Sequence, residues 1–407
     1  TGTHPPGLIL ANWLVIQAFT RWPDLSQTIA EQIWPLRCTD LWLLDGPPAV
    51  AAALAAVALL TMLAGALTVI PTYGLARRLL PEPAARLAAA FVATLPSLTI
   101  FTPTPVQVDV LLATTALWCL HEGICRKTNG WLFTYLSGLL LSVTTFSSLG
   151  NGALVLLFTG YGAWQWWTKR PSLPFLHLFT QLTWLGVGSG TVWLVYWAGW
   201  GVPPWAVVQE GLAQHYELVT LHRRYEWWLV YNALDVLIFA GPAIVLGFLL
   251  LLRKPRRVLS QPLAALIVPL ALLLLLLNIS GSARGEVGRL WLFLMPLLAI
   301  SSAAFFLPGT AHSPAHPFTR SIPILITLQL LVTVAIGLAW RPIEATIVVA
   351  EPPPLPTNPV PENEANSTFL AAAEPLLTLR GYDLTQTAES LDVTLYWQAE
   401  QTAVRPY

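Results

Sequence analysis

Long apolar segments alternate with short polar connections along most of the chain. Most of these segments approach the length of about 20 residues that a helix needs to cross a bilayer. Ten such segments are predicted, at 48–70, 84–101, 107–121, 131–147, 150–168, 176–199, 228–252, 261–278, 287–307 and 321–340. The pattern predicts an all-α polytopic membrane protein whose transmembrane helical body covers residues 48–340.

Basic residues collect in alternate connections between these segments. The connections of one parity hold only two acids, Glu82 and Glu122, but twelve of the 21 lysines and arginines. These twelve are Arg77, Arg78, Arg86, Arg126, Lys127, Lys169, Arg170, Arg253, Lys254, Arg256, Arg257 and Arg320. The positive-inside rule assigns such connections to the cytoplasm. The long loops at 1–47, 200–227 and 279–286 then lie on the extracytoplasmic face of a cell membrane.

The apolar stretch at 6–20 does not fit this alternation, because a further span there would turn every basic connection outward. Residues 1–47 are therefore interpreted as the end of a first outer loop that carries a helix on the outer surface. Pro5 and Pro6 open this helix at its first turn, where proline is tolerated. Trp13 and Trp22 are typical of an interfacial position.

The chain after the last span changes character. Residues 341–363 are rich in proline and predict a semi-rigid linker. Residues 364–407 predict a small β domain, because 376–382 and 391–397 alternate apolar and polar positions at a period of two. The parity of the spans places this tail outside. Both ends of the sequence are interpreted as truncated, with the β domain incomplete.

The composition agrees with a membrane protein and excludes several other classes. Apolar residues make up 55% of the chain and charged residues 10%, against about 25% charged in soluble domains. The net charge is zero, and no basic footprint indicates a nucleic-acid partner. The three cysteines lack the spacing of a zinc site or a disulfide framework.

Four polar groups on the predicted outer face could carry chemistry. In the first, residues 3–7 (THPPG), His4 lies near a helix start, which attracts anions such as phosphate. The alternative is a loop histidine before a helix that simply begins with proline.

In the second group, Asp109 lies at the mouth of a helix beside the proline-stiffened turn 101–105. Its carboxylate could orient an acceptor hydroxyl or help to hold a cation, or it could be a helix-start acid favoured by the dipole.

The third group begins at His215 and continues into an apolar segment. Tyr231 and Asp235 are four residues apart and share a helical face, next to Asn232. An ionisable residue inside a membrane segment is costly, so Asp235 indicates either function or a buried partner. The alternative to function is a structural pair, for example of Asp235 with Arg224.

The fourth group covers residues 281–291 at the outer boundary of a late apolar segment. The guanidinium fork of Arg289 suits paired phosphate oxygens. Glu286 precedes Arg289 by three residues and could pair with it on the same helical face. The alternative is an arginine that extends its charged head to the interface, with a neighbouring counterion.

Together these groups resemble the GT-C class of membrane glycosyltransferases. The nearest resemblance is to the bacterial group that includes the lipid A aminoarabinose transferases and the protein O-mannosyltransferases. THPPG resembles the HPP motif that ends the first outer loop of the class, and residues 285–300 (GEVGRLWLFLMPLLAI) resemble its late arginine-aromatic helix. Residues 215–241 resemble a motif of bacterial membrane proteins assigned to the class. LRGYDL and LYWQAE, at 379–384 and 395–400, resemble a β domain appended to such transferases.

The resemblance implies transfer of a sugar from a polyprenyl-phosphate donor to a glycan, lipid or protein acceptor, by a single displacement at the anomeric carbon. Asp109 is the catalytic candidate in this chain. The candidates that would bind the donor phosphate are His4, Arg224 and Arg289. Supporting roles fall to Glu286, Tyr231, Asn232, Asp235 and His215.

Two expectations limit this interpretation. In the GT-C class the catalytic acid usually precedes the HPP motif, so the general base is expected upstream of Thr1, and a fragment without it is expected to be inactive. The sequence identifies no cofactor and no metal ligands, and it leaves a requirement for a divalent metal open.

A polytopic transporter or lipid flippase is the alternative function from another class. It predicts ionisable residues near the bilayer midplane and paired broken helices from inverted repeats. In this sequence the charges collect at one face, which favours a one-sided enzyme. A membrane-anchored binding protein, with its function in the β domain, is a third interpretation.

Overall fold

The computed structural model describes residues 5–33, 46–126, 128–169, 174–259, 262–306, 322–339, 363–371, 374–386 and 391–399. The chain forms two compact units, Thr1–Trp340 and Arg341–Tyr407. His4, Cys38, Lys127 and the predicted linker up to residue 362 lie outside the described residues.

The regular secondary structure of the first unit, within its described residues, is helical. Its helices are α1 (Gly7–Thr20), α2 (Pro23–Gln32), α3 (Pro48–Leu67), α4 (Val69–Leu79), α5 (Glu82–Ala93), α6 (Pro96–Ile100), α7 (Val106–Cys125), α8 (Gly130–Ser147), α9 (Ala153–Lys169), α10 (Phe175–Trp200), α11 (Pro204–His215), α12 (Tyr225–Ala240), α13 (Pro242–Leu252), α14 (Pro255–Leu259), α15 (Ala264–Ser280), α16 (Val287–Leu290), α17 (Met295–Phe306) and α18 (Ile322–Ala339). Single 3-10 turns lie at Leu149–Gly152 and Leu292–Leu294, and a π-helical turn lies at Tyr216–Thr220.

Several helices have the length and composition of membrane spans, so the chain is a multi-pass membrane protein. Within the described ranges, four segments qualify: Pro48–Leu79, Glu82–Ile100, Val106–Cys125 and Ile322–Ala339. A fifth qualifies if α12 and α13 count as one span. The predicted number of ten spans is therefore not confirmed. Helices α8 and α10 have 18 and 26 residues, but their many Ser, Thr, Gly and Trp residues lower their mean hydropathy.

The span predicted at 228–252 is not one continuous helix, because the chain bends by 117° between α12 and α13. Pro242 has no N–H and disfavours the helical conformation of the residue before it. That residue is Gly241, with φ 90° and ψ 145°, a conformation that favours glycine. The carbonyl oxygen of Ala240, left without a helical partner, accepts a hydrogen bond of 2.8 Å from Gln329 Nε2 in α18.

The segment predicted at 287–307 is also interrupted. It consists of the short helix α16, the 3-10 turn Leu292–Leu294 and the helix α17. Pro296 lies in the first turn of α17, where its missing N–H costs no helical hydrogen bond. Every residue of α17 is buried, and its neighbours include α5 and α13. A helix that is apolar on all sides belongs in the interior of a bundle.

Close packing brings α8 against α10, and α1 against α3 and α8. Helices α8 and α10 approach closely, because Gly188 lies against the backbone of Tyr135 and Gly138 lies against that of Leu185. Small residues allow helices in membranes to pack in this way. Helix α1 packs on α3 and α8, and its flat placement on the outer membrane surface stays a prediction.

The second unit contains an antiparallel sheet of three strands, in the order β1 (Asn363–Ala371), β2 (Glu374–Gln386) and β3 (Leu391–Ala399). The alternating runs at 376–382 and 391–397 fall within β2 and β3. Leu379 lies opposite Trp397, and the register shifts at the next pair, Gly381 and Tyr396. Strand β1 was not predicted, because its sequence, NEANSTFLA, lacks a clear period of two.

Candidate functional site

Asp109 lies in the first turn of α7 and is only 4% exposed. Its Oδ1 accepts a hydrogen bond of 2.9 Å from Ser147 Oγ at the end of α8. Asn151 is a second hydrogen-bonding neighbour of the carboxylate, and its Nδ2 donates to the carbonyl oxygen of Thr144 at 2.9 Å. Within the described part of the chain, no basic side chain forms an ion pair with Asp109. The carboxylate is held by neutral donors.

A cavity of about 260 Å³ opens beside Asp109, between α1, α3, α7, α8 and α10. Most of its wall is apolar, with side chains such as Val57, Leu112 and Val192. The polar side chains of its wall are Asn12, Thr61, Asp109 and Ser147. The cavity therefore presents one carboxylate and a few neutral polar groups in apolar surroundings.

The end of the THPPG motif reaches the same cavity. Gly7 lines it and lies so close to the carbonyl group of Phe146 that no Cβ atom would fit. Pro5 is buried beside it. The first and second predicted groups are therefore neighbours, although His4 itself lies outside the described residues.

The third and fourth predicted groups are joined by hydrogen bonds between the segment 215–232 and the loop 278–286. His215 Nε2 lies 2.8 Å from the carbonyl oxygen of Ser282. The hydroxyl of Tyr225 donates to the carbonyl oxygen of Ile279 at 2.6 Å. His215 thus holds the loop, which is a structural role that the sequence analysis did not assign to it.

Asn232 and Asp235 contact the same loop from α12. Asn232 is 1% exposed, and its Nδ2 donates to the carbonyl oxygen of Ala283 at 2.9 Å. The amide of Gly285 donates to Asn232 Oδ1 at 3.4 Å. The carboxylate of Asp235 accepts a hydrogen bond from the backbone amide of Val287. The polar face of α12 therefore binds the backbone just before Arg289.

Glu286 lies between two arginines at the start of α16. It pairs with Arg289, three residues later, and its Oε1 lies 3.8 Å from Arg223 Nη2. The predicted pairing of Glu286 with Arg289 is therefore present. Glu286 has a φ of 58°, in the left-handed region that residues other than glycine rarely adopt. The side chain of Arg289 is 45% exposed, so it remains accessible to an anion.

Two candidate residues of the third group are exposed. The side chain of Arg224 is 77% exposed and lies 3.8 Å from Glu226, so the pair considered between Arg224 and Asp235 does not form. Tyr231 is 44% exposed and stacks on Trp227, with 5.9 Å between ring centroids.

The structure divides the candidates into two groups. Asp109 lines the apolar cavity together with Gly7. Glu286 and Arg289 belong to the segment 278–289, which is contacted by His215, Asn232 and Asp235. Among the described residues, no hydrogen bond or ion pair connects Asp109 with Arg289. Packing links the two regions, because Phe239 of α12 contacts Phe101, with 5.2 Å between ring centroids, and lies against Gly288.

Four further residues contribute to these regions but were not predicted from the sequence: Ser147, Asn151, Arg223 and Arg284. Ser147 and Asn151 gave no signal, because such residues are common wherever a helix ends. Arg223 and Arg284 were visible as outer-loop arginines, but no pattern distinguished an arginine bound to carbonyl groups from one free to bind phosphate. Within the described ranges, no cluster of three His, Cys, Asp or Glu side chains is suited to a metal ion.

Comparison with known proteins adds one finding. Residues 42–193 match the sequence model of the dolichyl-phosphate-mannose-protein mannosyltransferase family. Neither a curated protein nor a solved structure gives a significant match. The matched region contains Asp109, Ser147 and the cavity wall from α3 to α10, but not the loop around Arg289. Over this part of the chain, the match confirms the resemblance to membrane glycosyltransferases of the GT-C class.

Proposed function

We propose that this protein transfers a sugar from a polyprenyl-phosphate donor to a glycan, lipid or protein acceptor at the extracytoplasmic face of the cell membrane. The observation that supports this most directly is the Asp109 carboxylate. It is almost fully buried, and it lines an apolar cavity within the region that matches the mannosyltransferase family. A buried carboxylate inside a membrane protein is costly, and by default it indicates function.

Asp109 acts on the acceptor in this proposal. Its carboxylate accepts a hydrogen bond from the acceptor hydroxyl and orients the oxygen toward the anomeric carbon, while a general base takes the hydroxyl proton as the new bond forms. The bond between this carbon and the phosphate oxygen breaks in the same displacement, and the polyprenyl phosphate leaves with the electron pair. Ser147, which donates to Oδ1, fixes the orientation of the carboxylate.

Arg289 acts on the donor phosphate. Its pairing with Glu286 restrains the guanidinium, and the remaining N–H donors of the fork suit phosphate oxygens. His4 and Arg224 would assist at the same phosphate. The structure supports Arg289 best among these three, since Asn232 and Asp235 anchor the backbone that precedes it.

The size of the cavity restricts what enters it. About 260 Å³ is below the usual range for pockets that enclose drug-sized ligands, about 300–1,000 Å³. The cavity therefore admits the reacting sugar or the acceptor hydroxyl, while the polyprenyl chain lies in the bilayer.

Transfer can be tested with the full-length protein in liposomes and a panel of radiolabelled polyprenyl-phosphate sugars. Asp109→Asn keeps the shape of the side chain and removes the negative charge that orients the acceptor hydroxyl, so we expect turnover to fall by about 10²-fold or more. Asp24→Asn, at an exposed position of α2, is the matched control and should leave turnover unchanged. Equal turnover by both variants would remove Asp109 from the mechanism.

A lipid flippase is the second candidate, because the 117° bend between α12 and α13 resembles the discontinuous helices of transporters. The same liposomes test it. Movement of an intact, fluorescent polyprenyl-phosphate sugar between leaflets, without transfer of the sugar to any acceptor, would favour the flippase.

A further inference from the structure

Four arginines and two glutamates meet at the end of the bundle where α4 ends, α5 begins and α7 ends. Glu82 lies 3.0 Å from Arg77 Nε and 2.9 Å from Arg86 Nε, and it accepts a hydrogen bond of 2.5 Å from the Tyr73 hydroxyl. Glu122 lies 2.6 Å from Arg78 Nε and 3.3 Å from Arg126 Nε. Because Arg77 and Arg78 are consecutive, the two halves form one arginine cluster: Arg77, Arg78, Arg86 and Arg126.

The arginine cluster carries more positive charge than its glutamates neutralise. Four guanidinium groups and two carboxylates leave a net charge of 4 − 2 = +2 among these described residues. All four closest contacts use the Nε atom, and each guanidinium carries four further N–H donors at the outer end of its fork. The arginine side chains are 47–74% exposed. Ion pairs at such exposure add little to stability, so stability alone does not explain the cluster.

We propose that the arginine cluster binds the phosphate group of an anionic phospholipid. The cluster lies at the shared end of the spans Pro48–Leu79, Glu82–Ile100 and Val106–Cys125, where lipid headgroups meet the protein. It also lies on the face that the basic connections assign to the cytoplasm, whose leaflet carries anionic lipids. Several forks held in place by carboxylates are suited to phosphate oxygens.

Apolar surface beside the cluster favours a lipid over a free anion. The Arg126 guanidinium lies over the ring of Phe133, 4.1 Å from its centroid. The two preceding residues, Trp131 and Leu132, are 44% and 51% exposed. Acyl chains below a headgroup would cover these side chains, whereas inorganic phosphate would contact only the arginines.

The test measures retention of phosphatidylglycerol by the full-length protein, released from nanodiscs of mixed neutral and anionic lipid and analysed by native mass spectrometry. The double variant Arg77→Gln/Arg126→Gln removes one arginine from each glutamate, so each carboxylate keeps another arginine. We expect it to retain at least about tenfold less phosphatidylglycerol than the wild type. Neutral phosphatidylcholine should be retained equally by both proteins.

The matched control is Arg253→Gln/Arg256→Gln. It removes two exposed charges from the same predicted face, outside the cluster. If this control loses as much phosphatidylglycerol as the first variant, binding depends on general surface charge and the proposed site is wrong. Displacement of the lipid by millimolar inorganic phosphate, at constant ionic strength, would assign the cluster to a free anion and would also contradict the proposal.

A conservative variant covers the case in which the glutamine variant does not fold. Arg77→Lys/Arg126→Lys keeps every charge but removes two guanidinium forks, and the two side chains are not interchangeable at sites that need the fork. A few-fold loss of phosphatidylglycerol retention in this variant supports a phosphate site that depends on the geometry of the guanidinium groups. Unchanged retention overturns it.

Discussion

Arg223 and Arg284 each donate a hydrogen bond to the backbone carbonyl oxygen of the other. Arg284 Nη1 lies 2.7 Å from the Arg223 oxygen, and Arg223 Nη1 returns a bond to the Arg284 oxygen. Arg284 also donates to the carbonyl oxygens of Thr220 and Gly281, at 2.8 and 3.1 Å. This pair joins the π-helical turn to the loop that precedes Arg289, so the two predicted groups form one structure.

Arg284→Ala should therefore loosen both segments. Loss of hydrogen bonds from a charged donor to partly buried carbonyl groups is expected to lower the free energy of unfolding by about 1.5–3 kcal/mol. Hydrogen exchange of peptides that cover 204–225 and 278–289, and thermal unfolding in detergent, measure this effect. Arg224→Ala, at a side chain that is 77% exposed, should change stability by no more than about 0.5 kcal/mol. Equal exchange in both variants would contradict the role of Arg284.

Arg289→Ala should reduce sugar transfer without preventing membrane insertion. If Arg289 stabilises the charge that develops on the leaving phosphate, its removal should lower kcat/KM by about 10²–10³-fold. Arg289→Lys should retain part of the activity, since it keeps the charge but loses the fork. Initial rates with a polyprenyl-phosphate sugar, in variants with equal amounts in the membrane, provide the measurement. Undiminished turnover in Arg289→Ala would remove the main phosphate assignment.

Gly7→Ala should disturb the cavity from the side of α1. The new Cβ would overlap the carbonyl group of Phe146, so α1 and α8 must separate, at a cost of about 1–3 kcal/mol. Thermal unfolding and sugar transfer should both decrease. Gly152→Ala is the control, because its Cβ would meet no atom within 4 Å. A Gly7→Ala protein as stable as this control would show that the contact is looser than the structure indicates.

The surface position of α1 can be tested by cysteine labelling. In a variant without Cys38, Cys119 and Cys125, single cysteines replace Ile9 and Thr20 at exposed positions near the two ends of α1. If α1 lies flat on the outer surface, a membrane-impermeant maleimide added outside should label both positions. Protection of either end would mean that α1 crosses the bilayer, and the predicted topology would then be reversed.

The bend between α12 and α13 had a signal in the sequence, the pair Gly241 and Pro242, but the hydropathy of the segment outweighed it in the prediction. Gly241 and Pro242 are typical of a helix boundary, but the predominantly apolar character of 228–252 favoured one span. Hydropathy indicates whether a segment lies in lipid or in water. The path of the backbone also depends on single residues, such as Pro242, which lacks an N–H, and Gly241, which lacks a Cβ. In this segment, the glycine and the proline decided the geometry of the backbone.

The sequence by itself determined that the chain is a helical, multi-pass membrane protein that resembles glycosyltransferases of the GT-C class. Hydropathy is a local property, and the absence of water in a bilayer requires each spanning backbone to satisfy its own hydrogen bonds in a helix. Only the tertiary structure decided what each polar residue does. Ser147 reaches Asp109 from another helix, and Arg284 has its donors bound to carbonyl groups while Arg289 pairs with a carboxylate and remains accessible. These differences depend on contacts between residues distant along the chain, which no local pattern records.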